Sequence, residues 1–351
     1  MRKVLIVNPF GIGDVLFSTP LIAALKAQDP SISISYIGNA RTAAFLKNDP
    51  RLLKVFSYER DEFVAVYRKS PWQFILKWKK FVAMIRAEGF DTAYDLSNGS
   101  PLGLVLFLAG IAQRIGFDHK GRGRWLTHKL PLKGYEGRHV AEYILDLVAV
   151  VGVPVQMSMF VSPSDEAWAR DCLKSHGLES KTFIVLFPGG GASWGKSAGL
   201  KRWSAEAYKK LVEKIIERSN CPIILMGDKS EESLCRGIVP ADQARVIVLA
   251  GELSVTQTAA LLSQARCVVA NDGGPLHMAV ARGVPTVSVF GPVDPVVYGP
   301  YPAGLPHRVV VKGLPCQPCY RNFRMSRCGH QRCLKALTVD EVFEALKELV
   351  V

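Results

Sequence analysis

A run of apolar residues ends on a carboxylate and a glycine pair at Ala270-Asn271-Asp272-Gly273-Gly274-Pro275-Leu276-His277, and no other junction constrains the fold as tightly. Residues 265–270 read as a buried parallel strand and residues 276–282 as the start of a helix whose first free N–H groups face the connecting loop. A helix N-terminus attracts anions. Gly273 and Gly274 permit unusual φ values and close approach of a ligand to the backbone. Asp272 is placed to accept from ribose hydroxyls and His277 to donate to a phosphate oxygen. The plainer alternative is a tight strand-to-helix turn with Asp272 as its cap and His277 packed inside.

Strand-like and helical patterns alternate along the whole chain. Strands are expected at 4–8 and 32–37 and helices at 15–27 and 42–47. The pattern breaks between Gly152-Val153-Pro154 and Pro163, then restarts with a helix at 165–176 and strands at 182–187, 222–226, 245–249, 267–270 and 286–290. A helix at 204–218 joins the first two strands of this second series. The expectation is an α/β protein of two Rossmann-like domains facing a cleft, spanning residues 1–163 and 164–337, with a C-terminal helix at 338–351.

With 351 residues, 48% hydrophobic and 21% charged, the chain is globular and long enough for two cores. Its longest apolar stretch, 102–112, is shorter than the roughly 18 residues that span a bilayer, which points to a cytoplasmic protein. The formal charge of +13 favours anionic partners: phosphorylated substrates, an acidic membrane surface or nucleic acid. No RNA-binding signature, zinc-finger helix or long Lys/Arg tract accompanies it, so nucleic acid is the weakest of the three.

The first strand runs into Asn8-Pro9-Phe10-Gly11-Ile12-Gly13-Asp14-Val15-Leu16. Leu16 stands where the dinucleotide fingerprint needs its third glycine, and no acidic residue closes the second strand at Ile37-Gly38-Asn39, so a nicotinamide or flavin site is disfavoured. What remains is a Gly-rich turn projecting Asp14 from the carboxyl edge of the sheet, either as a general base or as the N-cap of helix 15–27. Residues 190–197 formally match the Walker A pattern. A P-loop, however, needs its Lys196 and Ser197 to open a helix, and here Ser204 is the better N-cap. The segment therefore reads as a long Gly-rich loop bearing Lys196, Lys201 and Arg202.

Four separated pieces together resemble glycosyltransferase family 9, the bacterial heptosyltransferase type: Gly11-Ile12-Gly13-Asp14 with Thr19-Pro20; Pro188-Gly189 with Lys201-Arg202-Trp203; Asp272-Gly273-Gly274-Pro275-Leu276-His277; and Phe290-Gly291-Pro292 with Pro300. The resemblance covers nearly the whole chain and implies a GT-B fold. It implies an acceptor, the lipid A or lipopolysaccharide core, bound by the N-terminal half, and ADP-heptose or a similar nucleotide sugar bound by the C-terminal half. It implies transfer without metal or other cofactor, at the inner face of the inner membrane. Carried over by residue, Asp14 is the base on the acceptor hydroxyl and Lys201 the cation on the departing diphosphate. Gly13, Gly189, Gly190, Ser193, Glu231, Asp272, Gly273, Gly274 and His277 form the donor site, Glu231 toward the nucleoside. Two readings of other classes stay open: a P-loop NTPase using 190–197, and a noncatalytic protein binding a nucleotide sugar or lipid.

Cys316, Cys319, Cys328 and Cys333 gather near the C-terminus at the spacing of a small structural zinc knuckle, with reduced thiols or a disulfide as the alternatives. In the segment 71–86, Phe74, Trp78, Phe81 and Ile85 recur at helical spacing beside Lys77, Lys79, Lys80 and Arg86, as on an interfacial membrane helix or a core helix. A second basic stretch, Lys120, Arg122, Arg124, Lys129, Lys133 and Arg138, suits an acceptor bearing phosphates or carboxylates.

Overall fold

The computed structural model describes residues 2–99, 101–148, 156–191, 195–241, 244–302 and 306–350, with the backbone alone at 195–197. The chain divides into two compact units, Met1–Tyr135 with Val140–Val155, and Glu136–His139 with Gln156–Val351. The break expected at 152–154 lies outside the described residues.

The first unit is built on six parallel strands: β1 (Lys3–Val7), β2 (Ser33–Gly38), β3 (Leu52–Ser57), β4 (Thr92–Asp95), β5 (Gln113–His119) and β6 (His128–Leu132), in the order β3-β2-β1-β4-β5-β6. The second unit carries β7 (Ile184–Phe187), β8 (Ile223–Leu225), β9 (Val246–Val248), β10 (Cys267–Asn271), β11 (Thr286–Phe290) and β12 (His307–Val311), again all parallel, in the order β12-β11-β10-β7-β8-β9. The inner strands β1, β2, β4, β7, β8, β10 and β11 are almost entirely buried, which is why each reads as a continuous apolar run. Read outward from the first strand of each unit, both orders are the doubly wound 3-2-1-4-5-6. The direction in which successive strands are added reverses between β1 and β4, and again between β7 and β10, so each unit has a crevice at the carboxyl edge of that strand pair.

One expected helix is two. Instead of a single helix at 15–27, Ile12–Phe17 and Thr19–Gln28 are separated by Ser18. Pro20 has no N–H to give to the Leu16 carbonyl, and the Thr19 hydroxyl bonds that carbonyl instead at 2.7 Å. The Ser18 hydroxyl meets the buried Tyr36 hydroxyl at 2.7 Å and fixes the joint against β2. By contrast, helix Ala205–Arg218 begins where the sequence places it, with the Ser204 hydroxyl accepting from the Ala207 N–H at 3.1 Å.

Helix Pro71–Ala87 turns the aromatic stripe seen in the sequence inward. Phe81 and Ile85 are buried in the first core with Leu5, Val7 and Val105, and Phe74 and Trp78 pack against it. That stripe is core and does not lie on a membrane, which corrects its interfacial reading. The apolar stretch at 102–112 forms only the short helix Leu102–Leu108, and no helix of the described residues is long and apolar enough to cross a membrane. In the second unit, the terminal helix Val339–Val350 inserts Val342 and Leu346 among Trp203, Val287 and Leu211.

His139, on the short segment that joins the second unit, is buried, bonds the Gly299 carbonyl at 3.1 Å through Nε2 and stacks on Tyr301. Burial lowers its pKa to about 4. As pH falls below the ordinary value of 6.5, the unfolded chain takes up this proton before the folded one does, so stability is lost between 6.5 and about 4. A His139→Gln variant is expected to lose stability less steeply over this window, by up to about 1.4 kcal/mol per pH unit. Urea unfolding at a series of pH values measures the difference; carboxyls such as Asp95, which titrate alike in both proteins, cancel from it. Parallel curves for the two proteins would show that His139 is not the group titrating.

Candidate functional site

The crevice of the second unit is an open recess lined by Gly189, Gly190, Gly191, Ala198, Lys201, Asn271 and Asp272. Strand β7 delivers the glycines and β10 delivers Asn271 and Asp272. Asp272 is 4% exposed, and the Lys201 ammonium meets its Oδ2 at 2.6 Å. Burial pushes the Asp272 pKa up and Lys201 pulls it back down. His277 lies behind, with Nε2 at 4.0 Å from Asp272 Oδ1. Burial, followed by electrostatic coupling to His139 and to the Lys201 ammonium, holds the His277 pKa well below its ordinary value. The imidazole is therefore neutral, and the contact with Asp272 is not an ion pair. The site thus presents one ammonium, one buried carboxylate and one neutral imidazole beside a helix N-terminus, a combination suited to a polyanion carrying hydroxyl groups.

Two glycines are required here by space. A side chain on Gly273 would put its Cβ 2.3 Å from the Gly190 carbonyl oxygen, so the β7 and β10 loops touch only because the side chain is missing. The φ of Gly273 is extended, at 169°, which corrects the expectation that φ was its reason. A Cβ on Gly189 would fall 2.0 Å from Glu231 Oε1. The helix itself spans Gly274–Ala281, beginning earlier than expected, with Gly273 at its N-cap position and no side-chain cap. Asp272 is therefore not a cap; its carboxylate is left for Lys201.

Glu231 is 2% exposed and fully engaged. Its Oε1 accepts from the Gly191 N–H at 3.0 Å and from Arg202 at 3.1 Å, while Oε2 accepts from the Asp228 N–H at 3.1 Å, completing a capping box. The neighbouring Glu232 instead pairs with Lys229 of the preceding 3-10 turn and with Arg236 of its own helix, which settles which of the two acids faces the loop. Asn271, fully buried, accepts from the Trp203 N–H at 2.9 Å and donates to the Pro188 carbonyl at 2.8 Å. It ties both ends of the glycine loop to β10.

Lys196 and Ser197 do not open an α-helix. They lie in a 3-10 turn, Gly195–Lys201, and the helix begins at Ala205. Among the described residues, the helix start that a Walker A motif needs at Lys196 and Ser197 is therefore not formed. Ser193 lies outside the described residues.

Gly13 and Asp14 belong to the first unit, apart from the rest of the expected donor set, which gathers in the second. Asp14 sits in the first turn of helix Ile12–Phe17 with Gly11 at the N-cap position, so it is not the helix cap. It is exposed, and its turn is organised by buried Asn8, whose Nδ2 donates to the Asp14 carbonyl at 3.0 Å and whose Oδ1 accepts from the Phe10 N–H at 3.3 Å. At the end of the adjacent β4, Asp95 is buried and accepts from the Ser97 N–H at 2.9 Å. Five of the six residues of the second basic stretch lie in this unit, whereas Arg138 belongs to the other, which corrects their grouping in one half.

The family model for glycosyltransferase family 9 (heptosyltransferase) matches residues 78–328. The chain is a member of glycosyltransferase family 9. It is 24% identical to lipooligosaccharide heptosyltransferase 2 of Haemophilus ducreyi over 363 aligned positions, 99% of each chain. Among solved structures it resembles E. coli ADP-heptose lipopolysaccharide heptosyltransferase II, with a TM-score of 0.78 at 22% identity, covering 99% of this chain and 98% of that one. It also resembles an E. coli heptosyltransferase solved with ADP-2-deoxy-2-fluoro heptose, with a TM-score of 0.71 at 19% identity over 99% of both chains. The fold is GT-B, and this family 9 member is a glycosyltransferase and not a P-loop NTPase.

The four clustered cysteines of this family 9 chain are free thiols, set around a short hairpin at Tyr320–Arg321 and Arg324–Met325. Burial, and then the neighbouring Cys316, Cys333 and Cys328, raises the Cys319 pKa, so the thiol form is favoured. Among the described residues no three His, Cys, Asp or Glu side chains assemble as a metal-holding group. The sequence shows Arg202 among the basic residues of the glycine-rich loop and Asn271 at the end of the apolar run, but their roles, Arg202 on Glu231 and Asn271 between the two ends of the loop, appear only in the structure, because an arginine in a loop and an asparagine at a strand end have many uses.

Gly189→Ala is expected to destabilise the protein by about 1–3 kcal/mol through its collision with Glu231. Gly199→Ala, which meets nothing within 4 Å, should stay within about 0.5 kcal/mol of the parent. Chemical unfolding of both variants decides it, and equal effects would refute the close-packing argument.

Proposed function

We propose that the enzyme transfers heptose from ADP-heptose to the inner core of lipopolysaccharide by inverting displacement, without a metal. The observation that carries this reading is the Lys201 ammonium held at 2.6 Å from a buried Asp272 in a glycine-walled recess. Relatives bear the names of lipopolysaccharide and lipooligosaccharide heptosyltransferases, and one similar structure holds an ADP-heptose analogue. The recess of the second unit takes the ADP moiety, its diphosphate on Lys201 and on the N–H groups at the start of helix Gly274–Ala281. Glu231 and Arg202 shape the glycine wall toward the nucleoside.

In the transfer, an acceptor hydroxyl oxygen bonds to the anomeric carbon and gives its proton to the Asp14 carboxylate. The carbon–oxygen bond to the diphosphate breaks, and its electron pair leaves with ADP. Charge grows on the diphosphate as that bond breaks, so a fixed ammonium is worth more in the transition state than in the bound donor. Neutral His277 supplies an N–H donor without adding a second cation beside Lys201. The acceptor is a lipid-linked saccharide, which places the work at the inner face of the inner membrane.

The test is transfer from ADP-heptose to a heptose-deficient lipopolysaccharide acceptor in EDTA. Asp14→Asn is expected to lower kcat at least about 100-fold with ADP affinity unchanged. Lys201→Ala is expected to weaken ADP binding and to lower kcat by roughly 100-fold or more. Full activity of Asp14→Asn would remove the base, and transfer abolished by EDTA would remove the metal-free mechanism.

A further inference from the structure

Helix Pro71–Ala87 buries one face and, among the described residues, leaves the other exposed. Positions 72, 75, 76, 79 and 83 share that outer face. It carries Trp72 at 66% exposure, Leu76 at 50% and Ile75 at 41%, at the end of the helix that follows the Ser70 cap. One turn further on stand Lys79 and Lys80, both exposed, and neither is in an ion pair among the described residues. Lys77, on the inner flank, is different: it pairs with Glu62 at 2.7 Å and lies 4.8 Å over the Phe63 ring. The preceding helix, Arg60–Lys69, ends on exposed Arg68 and Lys69 beside the same tip.

We infer that this outer face is a docking surface for an anionic lipid bilayer. A large ring and two aliphatic side chains cost free energy when left in water, and here they occupy one helical face that the core does not use. Lysines directly bordering them choose between possible occupants. Lysine is depleted from the buried centres of protein interfaces, whereas long ammonium stems reach from an apolar face into a layer of anionic headgroups. Each such cation adds attraction to an anionic surface that falls off with salt. The inference deepens the proposed function, in which the acceptor is a membrane lipid, and names the element that meets the bilayer.

The test uses the full chain and vesicles without acceptor: phosphatidylcholine alone, and phosphatidylcholine mixed with phosphatidylglycerol. The parent is expected to cosediment with the mixed vesicles at least about tenfold more than with the neutral ones, and less as salt is raised. The Trp72→Ser, Ile75→Ser, Leu76→Ser triple variant should lose binding by about tenfold or more, and the Lys79→Glu, Lys80→Glu variant should lose the preference for anionic vesicles. An unchanged melting temperature and unchanged ADP binding show that both variants are folded. Variants that sediment like the parent, a parent indifferent to vesicle charge, or a parent dimer made monomeric by the triple variant would each overturn the inference. Transfer to a detergent-dispersed acceptor is read separately: its absence with vesicle binding intact defeats the proposed function and leaves the docking surface standing.

Discussion

A buried carboxylate needs a cation, and at Asp272 that need organises the second unit. The carboxylate comes off the end of β10 into a space almost closed to water, where an uncompensated charge is costly. Lys201 answers it from the loop that follows β7. For the lysine to arrive, the glycine loop must pass against β10, and it does so only because Gly273 has no side chain to strike the Gly190 carbonyl. Asn271 and Glu231 then fasten that loop, one through its two ends and the other through the Gly191 N–H and Arg202. The result is an ammonium held against a buried carboxylate at the wall of the recess.

The same topological accident serves both units. Each sheet reverses its winding beside its first strand, and each reversal parts two loops at the carboxyl edge. In the first unit the crevice holds Asn8, Asp14 and Asp95; in the second it holds the Lys201–Asp272 pair. One unit therefore carries an exposed carboxylate on an ordered turn, and the other a cation on a buried acid. That division of labour is what a transfer between two substrates asks of a two-unit enzyme.

Much of the frame was readable in advance. Strand β11 falls on the residues expected for it, and Ser204 caps its helix, because apolar runs bounded by glycine and proline and a serine before a helical pattern act locally. The break at Ser18 is not legible in the pattern although Pro20 is in plain view: a proline early in a helix is also compatible with a continuing one, and the Tyr36 hydroxyl from β2, which fixes the joint through Ser18, is supplied from outside the segment. The stripe of Phe74, Trp78, Phe81 and Ile85 was legible as a helical face, but periodicity cannot say what lies against it. Asp14 and Asp272 both suit a cap locally, yet neither caps: the helices begin three and two residues earlier than the apolar pattern suggests, with Gly11 and Gly273 at the N-cap positions.

By itself the sequence determined the α/β alternation, the places where loops leave the strands, and the residue types that a diphosphate and a base require. These depend on neighbours along the chain: periodicity, caps and turn residues. Only the tertiary structure decided that Glu231 and not Glu232 braces the loop, that Gly273 is there for space and not for φ, and that the aromatic stripe of helix Pro71–Ala87 is core while Trp72, Ile75 and Leu76 are surface. The physical reason is that burial and steric contact are relations between segments far apart in sequence, and they exist only once the sheet has brought those segments together.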